Sequence, residues 1–465
     1  MIHALKPYPA YKDSGIPWIG DVPEHWKQLP GRACFTEKKV PNIGLLEKTV
    51  LSLSYGQIVI KPPEKLHGLV PESFETYQII EPNDIIIRST DLQNDQNSLR
   101  FGFAKTKGII TSAYMCFQTQ KLLIPEYGHL LLHTYDLMKI FYGRGSGLRQ
   151  NLDWRDFKYL PCPVPPLSEQ SAIVRYLDHI DRRIRHYILA KKKLIKLLEE
   201  QKQAIIHQAV TRGLDPNVKL KPSGIEWLGE IPEHWEVKPA KWYYREVDER
   251  SSTGSEELLS VSHITGVTPR SEKNITMFMA ESYVGHKLCR EGDLVINTMW
   301  AWMAALGIAR QTGIVSPSYA VYRPIQKDAF LPQFIDLLLR IKPYVAEYVC
   351  RSTGIRSSRL RLYPEQFLSI PIIRPPIVEQ QAILDKIYNA TSELEHAIHA
   401  YNQGISLLRE YRTRLIADVV TGKLDVREAA ANLPEETDET EVLEDEFAGD
   451  EETAEEELES EPEEE

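Results

Sequence analysis

Side chains able to read the edges of DNA bases gather in one stretch of this 465-residue chain, Arg88-Ser89-Thr90-Asp91-Leu92-Gln93-Asn94-Asp95-Gln96-Asn97. Arg88 suits a guanine edge, Gln93, Asn94 and Asn97 suit adenine, and Asp91 suits cytosine, all in a major groove. The stretch follows a short β-type run, Asp84-Ile85-Ile86-Ile87. A second such run, Asp293-Leu294-Val295-Ile296, leads into Asn297-Thr298-Met299-Trp300-Ala301-Trp302, where Asn297, Trp300 and Trp302 hold the matching place. Arginines in Gly-Arg loops, Arg144 and Arg149 in one and Arg356, Arg359 and Arg361 in the other, suit phosphate contacts. Turns rich in Asn and Asp are also ordinary turns, and such arginines are also ordinary surface.

Catalytic constellations are not found. No G-x-x-x-x-G-K-[ST] loop occurs, which argues against ATP hydrolysis by this chain. No H-E-x-x-H or paired Cys/His spacing points to a metal. Gly143-Arg144-Gly145-Ser146-Gly147 leads into no helix, as a nucleotide-cradling loop would. The Asn/Asp-Pro-Pro-aromatic tetrapeptide of amino-methyltransferases is missing; Ser316-Pro317-Ser318-Tyr319 has other residues. His25 and His234 recur, each between Pro-Glu and Trp, which suits packing rather than proton transfer. The reading is a protein that is not an enzyme, with no catalytic residue and no metal ligand.

The elements that must position the reading stretches come in duplicate. Ser14-Gly15-Ile16-Pro17-Trp18-Ile19-Gly20-Asp21-Val22-Pro23-Glu24-His25-Trp26 returns 209 residues later as Ser223-Gly224-Ile225-Glu226-Trp227-Leu228-Gly229-Glu230-Ile231-Pro232-Glu233-His234-Trp235. Pro165-Pro166-Leu167-Ser168-Glu169-Gln170 returns as Pro375-Pro376-Ile377-Val378-Glu379-Gln380. A period this long means tandem domains rather than a solenoid. Seven segments follow: an N-terminal strap 1–29, a body 30–160, a long helix 161–212, a second strap 213–240, a second body 241–370, a second long helix 371–424 and an acidic tail 425–465. Short strands bounded by turn residues, with helices near 128–141 and 331–348, make each body mixed α/β. Shared flanks around divergent bodies suit a scaffold carrying two different recognition surfaces.

Both long helices show apolar residues alternating four and three apart. The first seam is Ile173, Leu177, Ile180, Ile184, Tyr187, Lys191, Leu194, Leu198, Gln201, Ile205 and Gln208. Its counterpart holds Ile383, Ile387, Ala390, Leu394, Ala397, Tyr401, Gly404, Leu408, Tyr411, Leu415 and Asp418. This heptad spacing predicts that the two helices pair as an antiparallel coiled coil. About 44 residues at 1.5 Å each make a rod of about 65 Å. Ser168 is placed to cap the first helix, and Gly213 and Gly422 to close the two.

Charge divides the chain in two. The total is 55 basic and 66 acidic residues, a net charge of -11. Nineteen of the acids, and no Lys or Arg, lie in 435–465; the preceding residues therefore carry 55 basic against 47 acidic side chains. A positive body is compatible with nucleic acid, and an acidic run without a core to bury reads as disordered. Mean hydropathy is -0.33, with no apolar run of membrane-spanning length. The N-terminus lacks a secretory signal pattern. Five scattered cysteines suit the cytoplasm better than a disulfide framework.

The paired S-G-I-x-W-[IL]-G-[DE]-[VI]-P-E-H-W segments and the Pro-Pro-x-x-Glu-Gln helix starts carry a resemblance, as do Gly292-Asp293-Leu294-Val295-Ile296-Asn297 and Gly313-Ile314-Val315-Ser316-Pro317-Ser318-Tyr319. Together they resemble the specificity subunits of type I restriction-modification enzymes over about residues 8–425. The resemblance implies two α/β target-recognition domains, each reading half of a bipartite double-stranded DNA sequence, and two helices as spacer. It implies docking with two methyltransferase (M) subunits and two restriction (R) subunits, which use S-adenosylmethionine, ATP and Mg2+; the chain itself holds no cofactor. In the first body Asn83-Asp84 stands where the pattern has Gly-Asp. The competing readings are a single-chain DNA methyltransferase or nuclease with an unrecognised site, and a coiled-coil scaffold that binds no DNA.

Overall fold

The computed structural model describes residues 5–54, 56–62, 73–93, 95, 99–143, 150–272, 282–326, 328–354 and 360–434. Of the segment 425–465 expected as a disordered tail, the run from 435 onward lies outside them, whereas 425–434 corrects the expectation: Arg427–Ala431 is helical, and Val426 and Ala430 are buried because this stretch still carries apolar side chains to pack. The described chain divides into two units: 5–190 with 403–434, and 191–402. Each unit holds one strap, one body and part of both long helices.

The two bodies repeat one topology strand for strand. In the first, a four-stranded antiparallel sheet runs in the order Phe35–Lys38, Met115–Thr119, Ile85–Ile87, Phe101–Phe103. In the second the order is Tyr244–Val247, Ala320–Pro324, Leu294–Ile296, Leu306–Ile308. Each body adds a hairpin, Leu51–Ser54 with Gln57–Ile60 and Leu259–Ser262 with Gly266–Pro269. Central strands of Ile and Val, buried on both faces, make near-continuous apolar runs; Ile85, Ile86 and Ile87 are all fully buried.

The turn before each central strand explains the Asn83-Asp84 substitution. Asn83 and Gly292 both take left-handed backbone, φ 75° and 87°. Glycine does so freely, and asparagine is among the few side chains that tolerate it. The aspartate that follows is buried. Asp293 accepts Arg323 Nε and Nη2 at 3.0 and 2.9 Å and the Arg290 amide at 2.9 Å. Asp84 accepts Lys38 Nζ at 2.6 Å and the Glu81 amide at 2.8 Å. These carboxylates fix the strand entry.

The long helices run Leu167–Arg212 and Ile377–Val420. Each ends at a left-handed glycine, Gly213 (φ 72°) and Gly422 (φ 82°), which closes the last turn without a Cβ clash. Ser168 lies inside the first helix rather than at its cap, and the amides of Glu169 and Gln170 donate to Pro166 O at 2.9 and 3.0 Å. Within each unit the helices pair antiparallel. In the first, Arg412 of the second helix pairs with Asp181 of the first. In the second, Lys191 stacks on Tyr401 and Lys202 meets Glu395 at 2.6 Å.

The seam departs from the heptad expectation beyond Ile184. Tyr187 and Leu194 are 48% and 43% exposed, while Ile188 and Ile206 are buried in their stead. Leu198, Leu394 and Leu408 are half-buried, and Ile405 is buried beside the expected Gly404. Ile173, Leu177, Ile180, Ile383, Ile387 and Leu415 are buried. Ile173, Ile184, Ile195 and Ile206 stand eleven residues apart. Eleven residues in three turns is 3.67 per turn, close to an unstrained helix, whereas a 3.5-residue stripe drifts out of contact over this length.

Candidate DNA-recognition surface

The two strand-following connections share their roots and differ at their tips. In the first body Arg88 N donates to Arg100 O at 2.9 Å, and Leu152 N to Ser89 O at 2.8 Å. In the second, Asn297 N donates to Ala305 O at 2.9 Å, and Leu362 N to Thr298 O at 2.9 Å. Beyond those anchors the described residues of the first tip, 90–93 and 95, form no helix or strand; the second tip is a 3-10 turn, Ala301–Met303, closed by left-handed Ala304.

Arg88 sits at the first root, with a third of its side chain exposed, and pairs with Asp95 at 3.0 Å. Reading a guanine would require breaking that pair. Asp91 has left-handed backbone, φ 62°, and its amide donates to Asn151 Oδ1 at 3.0 Å. Gln93 is exposed. Asn94 and Asn97 lie outside the described residues, as do Arg144, Arg149, Arg356 and Arg359. Arg361 is half-buried, and its backbone pairs with Thr353 through two 3.0 Å bonds.

Asn297 corrects the expectation of a base-reading side chain. It is 7% exposed, and its Oδ1 accepts the Met299 amide at 3.2 Å. Its polar group builds the turn it occupies, the use Asn most often has there. Trp300 and Trp302 stay half-buried, their rings stacked 5.9 Å apart at 27°, with Trp302 Nε1 donating to Met299 O at 2.9 Å.

The repeated motifs become one assembly in each unit. Buried Glu169 accepts Tyr8 OH at 2.5 Å, His25 Nε2 at 2.7 Å and Trp26 Nε1 at 2.8 Å. Its partner in the repeat, Glu379, accepts His234 Nε2 at 2.7 Å and Trp235 Nε1 at 3.0 Å. The neighbouring glutamine faces the body: Gln170 Nε2 donates to Leu122 O and Pro165 O, and its Oε1 accepts the Ile124 amide, all at 2.9 Å. Gln380 does the same with Ala329 O, Pro375 O and the Leu331 amide. The Glu-Gln pair thus ties strap and body to the start of the helix. Its signal was the repeat itself, but nothing in it named partners about 145 residues away.

The helix that packs behind each sheet differs in charge. The first, Pro125–Leu137, carries His129 and His133, with rings 5.8 Å apart. Burial holds these imidazoles down, His129 to about 4 and His133 to about 3, the latter also depressed by His129 and Arg412. At the same helical positions the second body has Asp336 and Arg340, and Arg340 donates to Leu306 O at 3.2 Å and Ile264 O at 3.1 Å.

Among the described residues no group of three or more His, Cys, Asp or Glu is placed to hold a metal, and no helix is long and apolar enough to cross a membrane.

Residues 49–197 match the family described as the type I restriction modification DNA specificity domain. The type I restriction enzyme MjaVIII specificity subunit of Methanocaldococcus jannaschii is 22% identical over 370 residues, 75% of this chain and 81% of that protein. The EcoKI specificity subunit of Escherichia coli K12 is 19% identical over 298 residues, 61% of each. A solved structure described as showing complex assembly and conformational transition of the type I R-M system aligns with a TM-score of 0.59 at 14% identity, covering 87% of this chain and 99% of that one.

Proposed function

The chain belongs to the type I restriction-modification specificity subunits, and from that premise we propose that each of its two bodies reads one half of a bipartite duplex target. It is a DNA-target recognition subunit rather than an enzyme, and its partners are the methyltransferase and restriction subunits of a type I complex. In our reading two of each dock, and S-adenosylmethionine, ATP and Mg2+ are used by those partners in the cytoplasm. The two long helices act as the spacer between half-sites.

One observation carries the half-site reading: the connections rooted at Ser89 and Thr298 are pinned by the same backbone bonds yet end in different chemistry. A duplicated frame with shared roots and unlike tips presents two different surfaces at equivalent places. Sequence is read by base-edge contacts, while phosphate contacts only position the protein. The exposed Gln93 side chain and the Trp300–Trp302 pair are the described residues best placed to supply such contacts.

Methyl transfer from labelled S-adenosylmethionine to duplex DNA tests the division of labour. The pure chain transfers none, and addition of methyltransferase subunits produces methylation at a two-part sequence. Robust transfer by the chain alone would establish the single-chain enzyme instead.

A further inference from the structure

Arg100 is fully buried, and all five of its guanidinium N–H donors are engaged. Nε donates to Tyr142 OH at 3.3 Å. Nη1 donates to Arg88 O at 3.2 Å and Thr90 O at 2.8 Å. Nη2 donates to Asp91 O at 3.2 Å and to Asp95 O. Four of the five acceptors are therefore backbone carbonyls of one loop. The Arg100 amide is held in turn by Asp136 Oδ2 at 2.8 Å, a carboxylate that is itself buried.

A planar guanidinium offers its donors in a fixed fork. Four carbonyls that meet that fork have their directions set by it, including the one at left-handed Asp91. The strand connection alone does not require this. In the second body the residue anchoring the root in the same way is Ala305, and the connection between anchors is four residues shorter. The buried cation thus accompanies the longer first tip. Burying a charge is costly unless every donor is satisfied, and here the satisfying groups all come from the loop or the Tyr142 beside it.

We propose that Arg100 is a positioning residue for half-site recognition by the first body. It templates the backbone at Arg88, Thr90, Asp91 and Asp95 so that outward side chains, Gln93 foremost, meet the bases in one geometry, and it touches no DNA itself. This rests on the reading of the first body as a half-site reader.

The test uses the full chain assembled with its methyltransferase subunits, with methylated sequences mapped across DNA carrying every single-base variant of the target. Arg100→Lys keeps a positive charge but has only three donors on a point cation, too few for the five acceptors. Discrimination against single-base changes in one half of the target falls by about tenfold or more, the scale of one good base contact, while the other half is read as strictly as by the parent chain. A role in folding alone lowers methylation of every sequence alike, with both halves equally strict; that result, or equal relaxation of both halves, overturns the proposal. If the lysine variant does not accumulate, Tyr142→Phe removes one acceptor from a half-buried position, and the same half relaxes to a smaller degree. An unrelaxed half in that variant overturns the proposal too. A parent complex that methylates no two-part sequence refutes the half-site reading itself, whatever Arg100 does.

Discussion

Glu169 and Glu379 occupy equivalent places and differ in burial, so they make a controlled pair at the level of single residues. The Glu169 side chain is 4% exposed with three donors on it; that of Glu379 is 26% exposed with two. Removing a buried acceptor leaves each donor with a desolvation penalty of about 1–3 kcal/mol. Glu169→Ala should therefore lower unfolding stability by about 2–4 kcal/mol and Glu379→Ala by about half as much, read from denaturant midpoints. His129 and His133 give a pH dependence of known sign. Their folded pKa values, about 4 and about 3, lie below the ordinary 6.5. The unfolded chain therefore binds more protons between about pH 6.5 and 4, and stability drops as pH falls through that window. Replacing both with Asn should flatten the slope of unfolding midpoint against pH there; an unchanged slope would assign the acid sensitivity to other groups. Residue types alone revealed the Glu-Gln pair and the strap histidines as repeats. They could not distinguish Asn297 the turn-former from a base reader, because both uses draw on the same amide.

Helix existence was legible in periodic apolar residues, and the helices Leu167–Arg212 and Ile377–Val420 fall inside the segments 161–212 and 371–424 read for them, starting about six residues later. The register was not. Four-three spacing and eleven-residue spacing coincide from Ile173 to Ile184 and separate only afterwards, where apolar residues stand side by side, as in Leu194-Ile195 and Ile205-Ile206, and so serve either pattern. The difference is measurable. Ile184→Ala removes a buried side chain at a position common to both patterns and should cost about 2–4 kcal/mol. Leu194→Ala, on the heptad stripe yet 43% exposed, should change stability by less than about 0.5 kcal/mol in the same denaturant series. Comparable losses at both would restore the heptad seam. Strands were legible for the opposite reason: Ile85–Ile87 and Leu294–Ile296 are short apolar runs bounded by turns, and their isolation in the sequence marks them.

At the scale of the molecule, duplication was the most legible property, since repeated flanks 209–210 residues apart are enough by themselves to announce two units. What each tip does was hidden, because divergent loops carry no internal reference and the decisive contacts, such as the Arg100 carbonyl cluster, join a side chain to backbone carbonyls that no side-chain pattern records. Divergence in sequence nonetheless spares the topology: the sheet order and hairpins of one body recur in the other. Two independent readers in one frame is therefore the central claim. Its most direct test replaces residues 241–370 with the corresponding body of another specificity subunit, assembles the chimera with the same methyltransferase subunits, and maps the methylated sequence. Half of the target should change while the other half stays as it was; a chimera that alters both halves, or neither, contradicts the claim.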